Sequence, residues 1–244
     1  INHINGLTSG LVTASSILTI TGNAENVLAV YASGDNSEIA GLGDEAVELS
    51  DTTLSVSSLN TLNSQTTGLI TATSITTLSG TAAALNTLFG NEGSSGDKVD
   101  LAANVAVTVD AGSVAAAHLN TINSGTTGLV TATAATTITG TAAAINTLIG
   151  NEGDSGDKVN LDTDFLVTIA AGSVAAAHLN TINAATTGLV TATAATAITG
   201  TAAAINTLIG NEGDSGDKVN LDADYDITVN SGTASVSLLS LIHI

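Results

Sequence analysis

The chain repeats itself with a period of about 60 residues, and that regularity limits what it can fold into more than any other feature. Residues 126–165 and 186–225 differ at three of 40 positions: Thr137/Ala197, Thr163/Ala223 and Phe165/Tyr225. The run GTAAAINTLIGNEGDSGDKVNLD stands unchanged at 140–162 and 200–222, and a looser version occupies 80–101. Residues 66–125 form an earlier copy, and residues 8–65 a shorter and more divergent first copy. A fixed period of this size marks a repeat architecture, in which one unit cannot bury its own apolar face and neighbouring units do so together.

Each unit reads as two half-units of similar order. In the first, LVTATAATTITG carries β-branched residues and reads as one bent strand or two. TAAAINTLIG follows, with Ile145, Leu148 and Ile149 on one helical face. Thr141 is placed to cap this helix and Gly150 to end it in a left-handed conformation. In the second half, KVNLDTDFLVTIA alternates, with Phe165, Val167 and Ile169 on one side and Leu166 and Thr168 on the other. SVAAAHLNTIN then reads as a helix capped by Ser173, with Ala175, Leu179 and Ile182 as its apolar stripe and Asn183 at its end.

Helices of about nine residues do not persist alone in water, so their stability has to come from packing. The expected fold is an α/β repeat solenoid of about eight coils of ~30 residues. Four units make up this single stack: 8–65, 66–125, 126–185 and 186–238. An all-β solenoid, with TAAAINTLIG as an extended arc, is the structural alternative. Coils advancing by about 4.8 Å would give a rod on the order of 40 Å long. Helices pack wider than strands, so curvature or superhelical twist is expected.

Composition agrees with thin, regular layers. There are two Phe, two Tyr and no Trp, Met, Cys or Pro. Such a core must be built from Ala, Val, Ile and Leu, because the residues that fill irregular space are nearly absent. The formal charge is -19, from 22 acidic residues and three cationic ones, all Lys. That balance argues against nucleic-acid and anionic-membrane partners. It suits solubility in salty water and hard cations. No apolar run is long enough for membrane insertion, and no disulfide or thiolate metal site can form.

With Ile1 at the start and no Met, we expect the natural start to lie upstream. At the other end, Leu239 to Ile244 break the repeat. This LSLIHI resembles the translation of a sequencing adapter, so 239–244 are expected to be a non-native tail on a fragment of environmental origin.

The text at 119–148, LNTINSGTTGLVTATAATTITGTAAAINTL, and at 37–52, SEIAGLGDEAVELSDT, resembles repeats of very large proteins of marine cyanobacteria and other marine bacteria. Those are taken to be secreted or on the cell surface. The resemblance implies an extracellular, structural or adhesive role. It carries over no catalytic residue.

The best candidate site is the acidic loop. Glu152, Asp154, Asp157, Asp162 and Asp164 crowd one short stretch, and Glu212, Asp214, Asp217, Asp222 and Asp224 repeat them. Glycines let such a loop fold around an ion, and carboxylates supply oxygen ligands for Ca²⁺. The spacing matches neither the EF-hand nor the calcium-binding nonapeptide. The alternative is a solvated turn whose acids maintain solubility.

Lys98, Lys158 and Lys218 share one repeat position, each after an Asp, and read as a local charge pair or a stacked contact with the acidic loop of a neighbour, worth ~0–1 kcal/mol if exposed. His118 and His178 are equivalent, but Ser58 holds the place before them. A metal ladder is therefore not supported. No nucleophilic site or phosphate loop can be assembled, and we expect no enzyme.

A second candidate is the threonine array, Thr131, Thr133, Thr136, Thr137, Thr139 and Thr141, recurring as Thr191, Thr193, Thr196, Thr199 and Thr201. Regular hydroxyls on a flat sheet can order water, as in ice-binding solenoids. The second half-unit lacks the array, so every other coil would interrupt it.

The function expected is a spacer or adhesive stalk segment of a large extracellular or cell-surface repeat protein, with acidic loops suited to cations. Its partners would be neighbouring repeats and an unidentified surface or matrix ligand. The alternative is an ice- or surface-binding module.

Overall fold

A computed structural model describes residues 1–230 of the chain; the adapter-like tail and the end of the last repeat unit lie outside them. Two compact units are present. One comprises Ile1–Asp110 with Thr121–Thr131, the other Ala111–Asn120 with the described residues from Ala132 onward.

The first unit holds α1 (Asn2–Asn5), β1 (Val12–Thr13), β2 (Thr19–Gly22), α2 (Ala24–Asp35), β3 (Ile39–Ala40), β4 (Ala46–Leu49), β5 (Thr53–Ser55), α3 (Val56–Gln65), β6 (Ile70–Ala72), β7 (Thr77–Gly80), α4 (Ala82–Gly90), β8 (Val99–Leu101) and β9 (Ala106–Val109). Next come β10 (Gly112–Ala115) of the second unit, α5 (Ala116–Gly125), which is divided between the two, and β11 (Val130–Thr131) of the first. The second unit continues with β12 (Ala135–Gly140), α6 (Ala142–Gly150), β13 (Val159–Asn160), β14 (Leu166–Ile169), β15 (Gly172–Ala175), α7 (Ala176–Ala185), β16 (Val190–Ala192), β17 (Ala195–Gly200), α8 (Ala202–Gly210), β18 (Val219–Leu221) and β19 (Asp226–Val229). The chain is a mixed α/β protein with parallel sheets and eight helices among the described residues.

The sheets follow one rule. In the second unit, β10-β12-β14-β16-β18 form one sheet and β15-β17-β19 another. The first unit carries β2-β4-β6-β8, the two-stranded β1-β3, and the run β5-β7-β9-β11. Along the five-stranded sheet the inward partners are Val114, Ile138, Val167, Val190 and Val219, in parallel register. Each is at most 5% exposed. The equivalent rank in the first unit is Ile20, Val47, Ile70 and Val99. β-Branched side chains pack well on such a pleated surface. Each one buried contributes roughly 1.5–3 kcal/mol.

A strand does not pair with its own counterpart in the next repeat. Ile138 lies between Val114 and Val167, and Val190 between Val167 and Val219. Each step therefore joins a strand to one in the following half-unit. Thus Ile138 and Ile198, equivalent in the repeat, lie in different sheets. One sheet takes up each strand type of the repeat in turn. This corrects the simple picture of identical layers lying on one another. The ladder advances by less than half a period per strand, so like positions drift out of line.

The short helices pack in chain order, α2 on α3 on α4 in the first unit and α6 on α7 on α8 in the second. In α6, Ala142, Ile145 and Leu148 are buried, while Ile149 is only half-buried. The side chain of Thr141 accepts from the Ala144 N–H, as expected of the cap, and TAAAINTLIG is a helix and not an arc. LVTATAATTITG is two strands, β11 and β12. KVNLDTDFLVTIA is also two, β13 and β14. Phe165, Val167 and Ile169 turn inward as the alternation requires, leaving Leu166 exposed.

Three terminus assignments fail. Gly150 is still helical, and Asn151 ends α6 at φ -101. Ser173 lies within β15, and α7 starts after Ala175 with no side-chain cap. Its buried face is Ala176, Leu179, Ile182 and Asn183, with Ala176 in the place expected for Ala175. Asn183 is therefore inside the helix, which runs to Ala185.

Candidate functional site

The acidic loops leave α4, α6 and α8 and lead into β8, β13 and β18. In the middle copy Gly153 N–H donates to the Val159 carbonyl at 3.1 Å, and Val159 N–H to the Asn151 carbonyl at 3.0 Å. Lys158 N–H reaches back to the Gly156 carbonyl at 2.9 Å, a turn that needs Gly156 at φ 64. The loop is thus closed by its own backbone.

Its carboxylates face solvent. Glu152, Asp154, Asp157, Asp162 and Asp164 are all exposed, as are Glu212, Asp214, Asp217, Asp222 and Asp224. Asp162 and Asp222 each accept the next residue's N–H at 2.7 Å. Among the described residues no group of three or more Asp, Glu or His side chains is gathered to hold a metal ion. As folded, the loop is an acidic turn with its carboxylates exposed. His118 and His178 are half-buried on their helices and join no such group.

The lysines do not form the expected pairs. No ammonium of the three lies at ion-pair distance from a carboxylate among the described residues. Lys158 instead lays its stem over Gly153, where a Cβ would stand 3.0 Å from Lys158 Cγ, and Lys218 does the same at Gly213. Methylene stems cover the turn, which accounts for one Lys per loop by packing.

The threonines are better ordered than their sequence suggested. Side chains on the outer face of the five-stranded sheet run Ala115, Thr139, Thr168, Thr191 and Asn220. Thr168 comes from the half-unit that was expected to interrupt the array. Pairing between successive half-units brings it between Thr139 and Thr191. In the first unit Ser55, Ser79, Thr108 and Thr131 line up in the same way. These ranks are narrow: the neighbouring outward positions are Ser113, Thr137 and the exposed Leu166.

Other polar groups act inside. Thr66, Thr126 and Thr186 are buried, and each donates its hydroxyl at 2.6 Å to a carbonyl 21 residues earlier, on Glu45, Val105 and Phe165. Each Oγ1 also accepts from the glycine two residues on at 3.0 Å. Backbone passes so close that a Cβ on Gly128 or Gly188 would fall 2.5 Å from a carbonyl oxygen. The recurring Thr-Thr-Gly is this staple between turns.

A second device is an asparagine ladder. Asn60, Asn120 and Asn180 donate Nδ2–H to the carbonyls of Ala84, Ala144 and Ala204, each 24 residues on, at 2.9–3.0 Å. Both recurrences were visible in the sequence, but their partners lie on other elements and could not be read from it.

The first copy holds one irregular spot. Glu45 is 1% exposed and stands where Val105 and Phe165 stand in later copies. Its carboxylate accepts from Tyr31 Oη at 3.1 Å and from the Gly43 N–H at 2.9 Å. Burial raises the Tyr31 pKa well above the usual tyrosine range. The Thr66 hydroxyl opposes this, and the charges of Glu45 and Asp44 add to it. Nearby lies a cleft of about 620 Å³ lined by Leu11, Tyr31, Ile39, Leu42 and Gln65. No known protein family, curated protein or solved structure matches the chain. No helix among the described residues is long and apolar enough to cross a membrane.

Proposed function

We propose that the chain is an α/β solenoid segment that serves as a spacer or adhesive stalk in a large extracellular or cell-surface repeat protein. The observation that carries this reading is the running parallel ladder, with apolar ranks inside and staples 21 and 24 residues apart. Such a ladder grows by adding copies without redesign, because each pairing recurs one unit later, as β15-β17 repeats β10-β12. Secretion and surface attachment rest on the resemblance to marine bacterial repeats alone. The acidic loops then hydrate the surface and gather cations diffusely, with neutralisation by Ca²⁺ as a secondary effect. The reading assigns no catalytic step.

Pulling the molecule by its two ends tests it. A load-bearing stack gives a saw-tooth trace, with an extension of about 200 Å for each repeat unit released. A featureless extension at negligible force would contradict the reading.

The hydroxyl ranks favour a second reading, an ice- or surface-binding face. Ranked hydroxyls about 4.8 Å apart form a repeating lattice, though one residue wide. Inhibition of ice recrystallisation, lost in Thr168→Val, is the outcome that would move the assignment there.

A further inference from the structure

The N-terminal face of the first unit differs from every internal step of the ladder. Strand β2 is the margin of its sheet, and no described strand pairs with its outer side. The Leu18 and Gly22 carbonyls accept from the N–H groups of Ala46 and Ser50 along β4, so parallel alternation turns the N–H and C=O of Thr19 and Thr21 outward. At the equivalent internal strand β7, that side is filled by β5, with Thr53, Leu54 and Ser55 opposite Thr77, Leu78 and Ser79. At β12 it is filled by β10.

Burial tells the same story. Ile17 is 37% exposed, whereas Ile75, Ala135 and Ala195 at the same repeat position are at most 4% exposed. Leu7, Leu11 and Leu18 are more than half exposed. Residues 1–24 contain no Asp, Glu or Lys in a chain of charge -19. The edge strand and the segment before it thus carry no acid or lysine of their own on an otherwise acidic molecule, the nearest acids being Glu38, which accepts from Asn5 Nδ2 at 2.9 Å, and Asp51, which accepts from the Ala24 N–H at 2.8 Å. An open edge of this kind is a template for another strand. The internal ladder states which strand fits.

We propose that this face is a coil-accepting interface for a further coil of the same repeat. That coil enters as a strand of the Gly112–Ala115 type, parallel to β2, and its helix continues into α1. The first helix already occupies its place in the asparagine ladder: Asn2 donates to the Asn26 carbonyl at 2.9 Å across 24 residues, as Asn60 does to Ala84. The inference rests on the stacked reading above and adds the identity of what the end binds.

The test joins a copy of residues 60–118 in frame ahead of Ile1 of the full chain, which preserves the repeat phase through α1, and follows amide exchange by residue. Docking predicts that Thr19 and Thr21 amides gain about 100-fold or more protection, to the level of the strand interior. Ile17→Asp in the extended chain should remove that gain, and a scrambled extension should give none. An extension that exchanges as a free chain, while β4 and β6 stay protected, overturns the proposal and leaves the stacked fold intact. Protection of Thr19 and Thr21 that depends on protein concentration and not on the extension also overturns it, by assigning the edge to self-association. Loss of protection throughout β4, β6 and β7 in the unextended chain would instead count against the stacked reading itself.

Discussion

At the scale of single residues, the copies explain one another. Phe89 stands where Ile149 stands one unit later, and Gly125 where Ala185 stands. A Cβ on Gly125 would lie 2.5 Å from Phe89 Cδ1, so the large ring requires the glycine. Gly125→Ala should therefore destabilise by about 1–3 kcal/mol, the usual cost of overpacking. Adding Phe89→Ile should recover most of that loss, because the pair then matches a later copy. Urea unfolding of the single and double variants measures it, and additive losses would refute the coupling. Asn183 offers the opposite case. Its Oδ1 is buried and accepts no hydrogen bond from the protein, while the matching helix position in the first half-unit is Ile149. Asn183→Ile should raise stability by about 1–3 kcal/mol by removing an unpaired buried acceptor. Neither coupling can be read from one copy. The differences between copies carried the clue, but only the contact shows which difference answers which.

At the scale of elements, sequence pattern located the helices and strands well and their ends poorly. The Ile145/Leu148 stripe and the Phe165/Val167/Ile169 alternation are physical periodicities, and both hold. Helix ends depend on which residue leaves the helical conformation, and several nearby residues compete for that role. Ser173 has the chemistry of a cap, yet pairing with Ala197 holds it in β15. α7 consequently begins after Ala175 with no side-chain cap, whereas Ser55 caps α3 from the same repeat position by accepting the Ser58 N–H at 3.4 Å. Ala175→Ser should add about 1 kcal/mol, the typical worth of an N-cap. A thermal shift of a few degrees upward checks it, and no change would mean the helix start is fully satisfied already. The acidic loops show the complementary limit. Their residue types were legible, but the exposure of their carboxylates was not, because the backbone closure by Asn151, Gly153 and Val159 and the Asp162 bond to the Thr163 N–H appear only in the folded loop.

At the scale of the whole molecule, a parallel ladder with buried ranks makes stability collective. Among the described residues the deepest titratable spot is the Tyr31–Glu45 pair, whose burial favours the neutral phenol in the folded state. The folded pKa is raised above the unfolded value, so this contribution is complete below pH ~10 and is lost as pH rises toward the folded pKa. Alkaline titration should show Tyr31 ionising together with unfolding. Tyr31→Phe should flatten the fall in stability above pH ~10. Tyr225, also raised by burial and then by the Glu212 charge, supplies the internal comparison. That short helices alternate with parallel strands was legible from the repeat. The phase of the strand pairing was not, because the offset between paired strands, as from Val114 to Ile138 or Ile138 to Val167, depends on contacts between elements, such as the threonine and asparagine bonds 21 and 24 residues apart.

Each coil, on this view, gains its dry interior from the next. Excising residues 126–185, so that Gly125 is followed by Thr186, removes one full unit while keeping every junction in phase. The shortened chain should still fold cooperatively, with a lower urea midpoint and a smaller m-value, because interface terms are lost with the unit. An unchanged midpoint, as independent modules would give, would contradict it.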